Sequence, residues 1–160
     1  MLPLLAVTLR SRFGRITQIR QFLIETLGPF LSECRWHDLA WMALITGLAE
    51  ELMFRAVLQT WLEPRGLMTC LLVTNLLFAL GHPITPLYSL LAGLLGIYLG
   101  LFFHYFGEGN LLAPAVAHGF YDFIGFVLIR RVYCTQEQTR SQPAGENHRP
   151  EAAVAESGNT

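Results

Sequence analysis

The run LMTCLLVTNLLFALGHPITPLYSLLAGLLGIYLGLFFHYF, residues 67–106, decides how this chain must be read. It holds no Asp, Glu, Lys or Arg; its only ionisable imidazoles are His82 and His104. One buried helix of a small globular protein does not run that far. Two membrane spans of about 20 residues each, joined by a tight turn, account for its length. His82-Pro83 marks the break between them.

Working outward, the next apolar stretch upstream is Leu39 to Leu62, separated by the turn-forming Glu63-Pro64-Arg65-Gly66. Downstream, Gly107-Glu108-Gly109-Asn110 leads into a further apolar stretch, Leu111 to Ile129, with Pro114 suited to a first turn and Arg130-Arg131 closing it. The expected fold class is therefore all-α, a polytopic transmembrane helix bundle of about four spanning helices. The spans fall at about 39–62, 67–81, 87–106 and 111–129, with Ala92, Gly96 and Gly100 as a small-residue packing face on the third.

The whole chain is 160 residues, room for one domain, and only 14% of it is charged. Residues 1–37 mix Arg10, Arg12, Arg15, Arg20 and Arg35 with apolar runs and read as a basic amphipathic, interface-lying segment. Residues 38–133 form the transmembrane core. Residues 134–160 turn to Gln, Glu, Pro, Gly, Asn and Ser, a composition expected to be disordered. All 11 basic residues are Arg and most lie toward the two ends, which argues for membrane orientation and against a nucleic-acid surface. Four crossings put both ends on one side, and the positive-inside bias makes that side the cytoplasm. The expected location is a bacterial inner (plasma) membrane. Cys34, Cys70 and Cys134 share no short spacing, so neither a disulfide framework nor a zinc knuckle follows.

Against this background the charges in the first span stand out. A charged residue at a helix centre costs about 2.5–3.5 kcal/mol on insertion scales, while each Leu, Ile or Phe returns only about 0.3–0.6 kcal/mol. Glu50, Glu51 and Arg55 therefore need local compensation. Glu51 and Arg55 are four apart and can pair on one face. Glu50 is rotated about 100° away and has no partner in its own helix. An ion pair can be a neutral structural knot; a Glu left over beside it points to a reaction or transport site. His82 closes the second span, and His118 and Asp122 share a face of the fourth. His104, inside an aromatic run, reads as an interhelical hydrogen-bonding group. A Glu, two His and an Asp on three spans are the side chains needed to activate a water and stabilise an oxyanion.

The spacing resembles the CAAX prenyl endopeptidase and bacteriocin-processing family of intramembrane glutamic proteases, over about residues 38–130. Glu50-Glu51-Leu52-Met53-Phe54-Arg55 matches its Glu-Glu-x-x-x-Arg, Phe78 to His82 its Phe-x-x-x-His, and His118 to Asp122 its His-x-x-x-Asn/Asp. By that resemblance Glu50 and His82 polarise the attacking water, His118 and Asp122 steady the tetrahedral intermediate, and Glu51 and Arg55 support the site. The implied reaction is hydrolysis of a peptide bond in a membrane-anchored protein or peptide: a prenylated C-terminus, a leader or a C-terminal sorting tail. No cofactor is implied. Many relatives carry Asn where this chain has Asp122; an ionised Asp cannot donate a hydrogen bond, so orienting and charging His118 is the role expected of it. Members usually have more helices, so the N-terminal segment or oligomerisation is expected to complete the bundle.

Three other readings use the same residues. Zinc bound by His82, His118 and a carboxylate gives a metalloprotease, although His-Glu-x-x-His is absent. A proton or ion relay lacks an inverted repeat. A silent immunity or scaffold protein has no need of intact motifs. One count sits badly with a shared site. At about 1.5 Å per residue, upright helices place Glu50 roughly 18 Å deep, His82 about 24 Å and His118 about 10 Å.

Overall fold

The computed structural model describes residues 14–106 and 110–141. Among them every regular element is helical and there is no strand. In chain order these are α1 (Gly14–Glu33), α2 (Trp36–Glu51), a π-helical segment (Leu52–Gln59), the short α3 (Thr60–Leu62), a 3-10 turn (Glu63–Arg65), α4 (Leu67–Leu80), α5 (Pro86–Tyr105) and α6 (Leu112–Ser141).

The stretch from Trp36 to Leu62 is a single rod. Its start is fixed by Asp38, whose Oδ2 accepts the Arg35 backbone N–H at 2.8 Å, satisfying a donor that has no helical partner. Within the π segment the ladder slips to a five-residue reach: both the backbone N–H and the hydroxyl of Thr60 donate to the Arg55 carbonyl. Pro64 then ends the rod, and Gly66, at φ 94°, makes the turn into α4 that a residue with a Cβ would resist.

Two helices, α5 and α6, are long and apolar enough to cross a membrane. The other two expected spans differ from that standard for separate reasons. The α-helical part of the rod, Trp36–Glu51, is 16 residues long and Leu39–Leu62 carries three charges, while α4 has only 14 residues, about 21 Å of helix. Glu51 and Arg55 nevertheless point inward and are fully buried, while Trp41, Leu44, Ile45, Leu48, Leu52, Met53 and Val57 are exposed. The outer surface of the rod is thus apolar despite its composition.

Packing is densest between α2 and α6, and glycine is the reason. A Cβ on Gly47 would stand 2.7 Å from the Gly119 backbone nitrogen, so the helices cross backbone to backbone. On the other side α4 packs on α5, where a side chain on Gly96 would collide with Asn75. Gly96 and Gly100 serve as the expected packing face, whereas Ala92 lines a cavity. The basic N-terminal segment contains α1, which turns Ile19, Ile24 and Leu31 inward and lies along α6, with Tyr133 seated over Gly28. Residues 1–13 of that segment fall outside the described residues.

The helix α6 also runs further than composition suggests. Residues 134–141, placed by composition in the disordered tail, continue it as far as Ser141. The polar side chains there bond along the helix: Thr135 and Thr139 donate to the carbonyls four residues back, and Arg140 pairs with Glu137 at 3.2 Å. The remainder of the tail lies outside the described residues.

Candidate active site

The Gly47–Gly119 crossing sets the depth of the two helices that carry most of the ionisable groups. Glu50 and Glu51 follow Gly47 by three and four residues, and His118 directly precedes Gly119. The imidazole therefore lands among the carboxylates: Nδ1 of His118 lies 2.9 Å from Glu51 Oε1, and Nε2 lies 3.6 Å from Glu50 Oε2. The depth count had separated Glu50 from His118 by several ångströms. Two upright helices with matched ends were the wrong geometry, and a close glycine crossing brings their middles together whatever their ends do.

Glu51 has two neighbours. Its Oε1 accepts from His118, and its Oε2 stands 3.1 Å from Arg55 Nε. The Arg55 N–H does not point along that line, so the contact is an ion pair, not a hydrogen bond. Arg55 Nη2 donates to the Gly96 carbonyl at 3.0 Å, and its guanidinium carbon lies 5.5 Å from the centre of the Phe78 ring. One turn on, Gln59 Nε2 donates to the Gly100 carbonyl at 3.0 Å. The small residues of α5 thus do more than allow close packing: they leave carbonyls within reach of the π segment. A polar residue at the next four-residue step after Glu51 and Arg55 was the signal for Gln59, which motif matching passes over.

Asp122, one turn after His118, places Oδ2 3.7 Å from the same Nε2. Glu50 and Asp122 therefore flank one nitrogen at distances too long for a direct hydrogen bond. The Glu50 side chain is 25% exposed, and its Oε2 has no hydrogen-bond partner among the described residues.

His82 comes in from the end of α4. Its Nδ1 lies 2.8 Å from the Phe78 carbonyl oxygen, which can only accept, so Nδ1 carries the proton and Nε2 of the neutral ring keeps its lone pair. The ring lies over Phe78, centroids 4.6 Å apart. His82, His118 and Asp122 line one cavity of about 190 Å³. Its other walls come partly from a helix the motifs say nothing about: Ile19, Arg20, Leu23 and Leu27 of α1 face Leu91, Leu95 and Phe126. Tyr88 and Tyr121 complete the polar side. The cavity is apolar along most of its length and polar at the motif residues.

The residues expected at the site thus fall into two connected groups. Glu50, Glu51, Arg55, His118 and Asp122 form a chain of contacts, and His82 shares the cavity with His118 and Asp122. His104 stands apart, 3.5 Å from Glu63 at the far turn, as its aromatic setting suggested. Among the described residues no three His, Cys, Asp or Glu side chains are arranged to hold a metal ion.

Compared with known families, residues 32–124 match the family described as Type II CAAX prenyl endopeptidase Rce1-like. The match takes in more than half of the 160 residues. The chain belongs to this family. In this Rce1-like chain the matched stretch contains all three motifs and stops just after Asp122, leaving nearly all of α1 outside it. No curated protein and no solved structure matches the chain. Family membership, together with the two long apolar helices, makes it an integral membrane protein of a protease family.

Proposed function

We propose that this chain is an intramembrane glutamic endopeptidase that cleaves a peptide bond in a membrane-anchored protein or peptide, using water activated by Glu50 and His82. The observation that carries the reading is the grouping of Glu50, Glu51, Arg55, His118 and Asp122 beside a cavity that His82 also lines. Glu50 Oε2 and the Nε2 lone pair of His82 are proton acceptors not engaged by donors among the described residues, as a general base requires. Glu51 is held by Arg55 on one side and holds His118 on the other, so the ion pair positions the imidazole rather than reacting. The largely apolar walls suit a substrate delivered from a bilayer. Prenylated C-termini, leaders and sorting tails all meet that description.

The same reading has the rod, α4, α5 and α6 as four crossings in a bacterial inner membrane, with both ends cytoplasmic. The short α4 fits if the Gly81–Thr85 connection lies below the membrane surface against the cavity, where non-helical backbone is tolerated.

The test is cleavage of a candidate membrane peptide in proteoliposomes by wild type, Glu50→Gln and His82→Ala, each checked for folding and insertion. Both variants are expected to insert and to lose cleavage. Near wild-type turnover by either would remove the assigned water-activating pair. Loss of activity to a chelator, restored by zinc, would move the chemistry to a metalloprotease.

A further inference from the structure

We propose that Tyr88 is a catalytic residue of this site: its phenol donates the hydrogen bond that stabilises the oxyanion formed when water adds to the scissile carbonyl. The assignment rests on the endopeptidase reading and asks which group on the cavity wall can donate to that oxygen. Addition converts the carbonyl C=O into a C–O⁻ while the water's proton passes to the base. The negative oxygen then needs donors that are already in place.

The imidazoles are poorly placed to supply them unaided. Neutral His82 spends its N–H on the Phe78 carbonyl and offers a lone pair at Nε2. His118 places Nδ1 against Glu51, and its Nε2 faces two carboxylates, Glu50 and Asp122, which draw any proton held there. An ionised Asp122 has nothing to donate. Neither imidazole therefore has a ring N–H that is not already beside an acceptor of the protein.

Two residues that bear hydroxyls line the cavity, Tyr88 and Tyr121. A phenol donates whatever the protonation state of the neighbouring imidazoles. Tyr88 is favoured by its neighbour and by its support. Its ring stands beside that of His82, the ring assigned to the water, with centroids 6.1 Å apart. It also occupies the first turn of α5, which is tied down at several points. Thr85 Oγ1 accepts the Tyr88 N–H at 3.1 Å. Ser89 donates its hydroxyl to the His82 carbonyl at 2.9 Å and its N–H to Thr85. Bonds from two adjacent residues, Tyr88 and Ser89, thus tie the first turn of α5 to Thr85 and to the His82 backbone.

The experiment compares Tyr88→Phe, Tyr121→Phe and Tyr98→Phe with wild type and Glu50→Gln in proteoliposomes. It reads kcat and KM separately, and the affinity for a peptidyl phosphonate that mimics the tetrahedral intermediate. Removing one oxyanion donor lowers kcat by about 100-fold to 1,000-fold. Tyr88→Phe is expected to show that loss with little change in KM, and to weaken phosphonate binding without weakening binding of the uncleaved peptide. Tyr98, exposed and stacked on Phe102, is the control expected to leave both constants unchanged. Tyr88→Phe within threefold of wild type overturns the assignment, as does a kcat loss that appears in Tyr121→Phe instead. Should Glu50→Gln cleave as fast as wild type, the endopeptidase reading fails and Tyr88 falls with it. Dependence on Glu50 without dependence on Tyr88 removes Tyr88 alone.

Discussion

Replacing Gly47 with Ala tests whether the helix crossing, and not the motif letters alone, builds the site. The new Cβ would sit 2.7 Å from Gly119 N and 3.0 Å from Gly119 Cα, both backbone atoms that cannot rotate away. Relieving the closer contact to an ordinary separation near 3.4 Å opens the crossing by about 0.7 Å. His118 and Glu51 lie within about one turn of that point. If the full opening reached them, their 2.9 Å hydrogen bond would stretch to about 3.6 Å, which is no longer a hydrogen bond. Overpacking of this kind costs about 1–3 kcal/mol, and misplacing reacting groups by about 1 Å can cost on the order of 100-fold in rate. Gly47→Ala is expected to lose about 10-fold to 100-fold in kcat/KM in proteoliposomes and to unfold earlier on heating in detergent. Gly125→Ala, on the same α6 but with no atom within 4 Å of the added carbon, serves as the stability control. It should be as stable as wild type, or more stable by about 1 kcal/mol through helix propensity. If Gly47→Ala kept both full activity and wild-type stability, the close crossing would not be what aligns Glu51 with His118.

Two further outcomes follow from the buried charges and the topology. Arg55→Met leaves Glu51 without its cation in a fully buried position and is expected to destabilise by about 3–5 kcal/mol; adding Glu51→Gln should recover part of that loss, measured as a double-mutant cycle of unfolding in detergent, and simple additivity would count against coupling. With four crossings, Cys34 and Cys134 lie on the same side while Cys70 is buried, so a membrane-impermeant maleimide should reach the first two only from the cytoplasmic face and Cys70 only after unfolding. Labelling of Cys34 and Cys134 from opposite faces would rule out that topology.

The helical class and the motif positions were legible because both depend on short-range periodicity. A charge-free run of two span lengths leaves few alternatives, and four-residue steps such as Glu51–Arg55 and His118–Asp122 mark shared faces directly. What escaped was set by contacts between distant parts of the chain. Gly47 and Gly119 are each unremarkable in their own helix and matter only as a pair. The depth count failed for that reason, since it measured each helix from its own end. The wall that α1 gives the cavity was hidden too, because Ile19, Leu23 and Leu27 fit a membrane-surface helix as well as a cavity lining. The continuation of α6 to Ser141 was masked by polar composition, although Thr, Gln, Glu and Arg are all tolerated on an exposed helical face.

The three charges in the middle of the rod, Glu50, Glu51 and Arg55, can now be separated by what each requires of the fold. Glu51 and Arg55 neutralise one another, and each has a second partner on another helix: His118 for the acid, the Gly96 carbonyl for the base. Buried pairs of this kind rarely add stability over well-packed apolar residues, so their retention asks for another reason. Fixing the orientation of His118 is one that the geometry supplies. Glu50 gains much less. Its neighbour His118 Nε2 is 3.6 Å away and its Oε2 is unsatisfied among the described residues, so the cost of partly burying it is not recovered by the contacts around it. A carboxylate left in that condition beside His118, which lines the cavity, is poorly explained as a structural element; in the proposed reading it is the group that receives a water and a substrate.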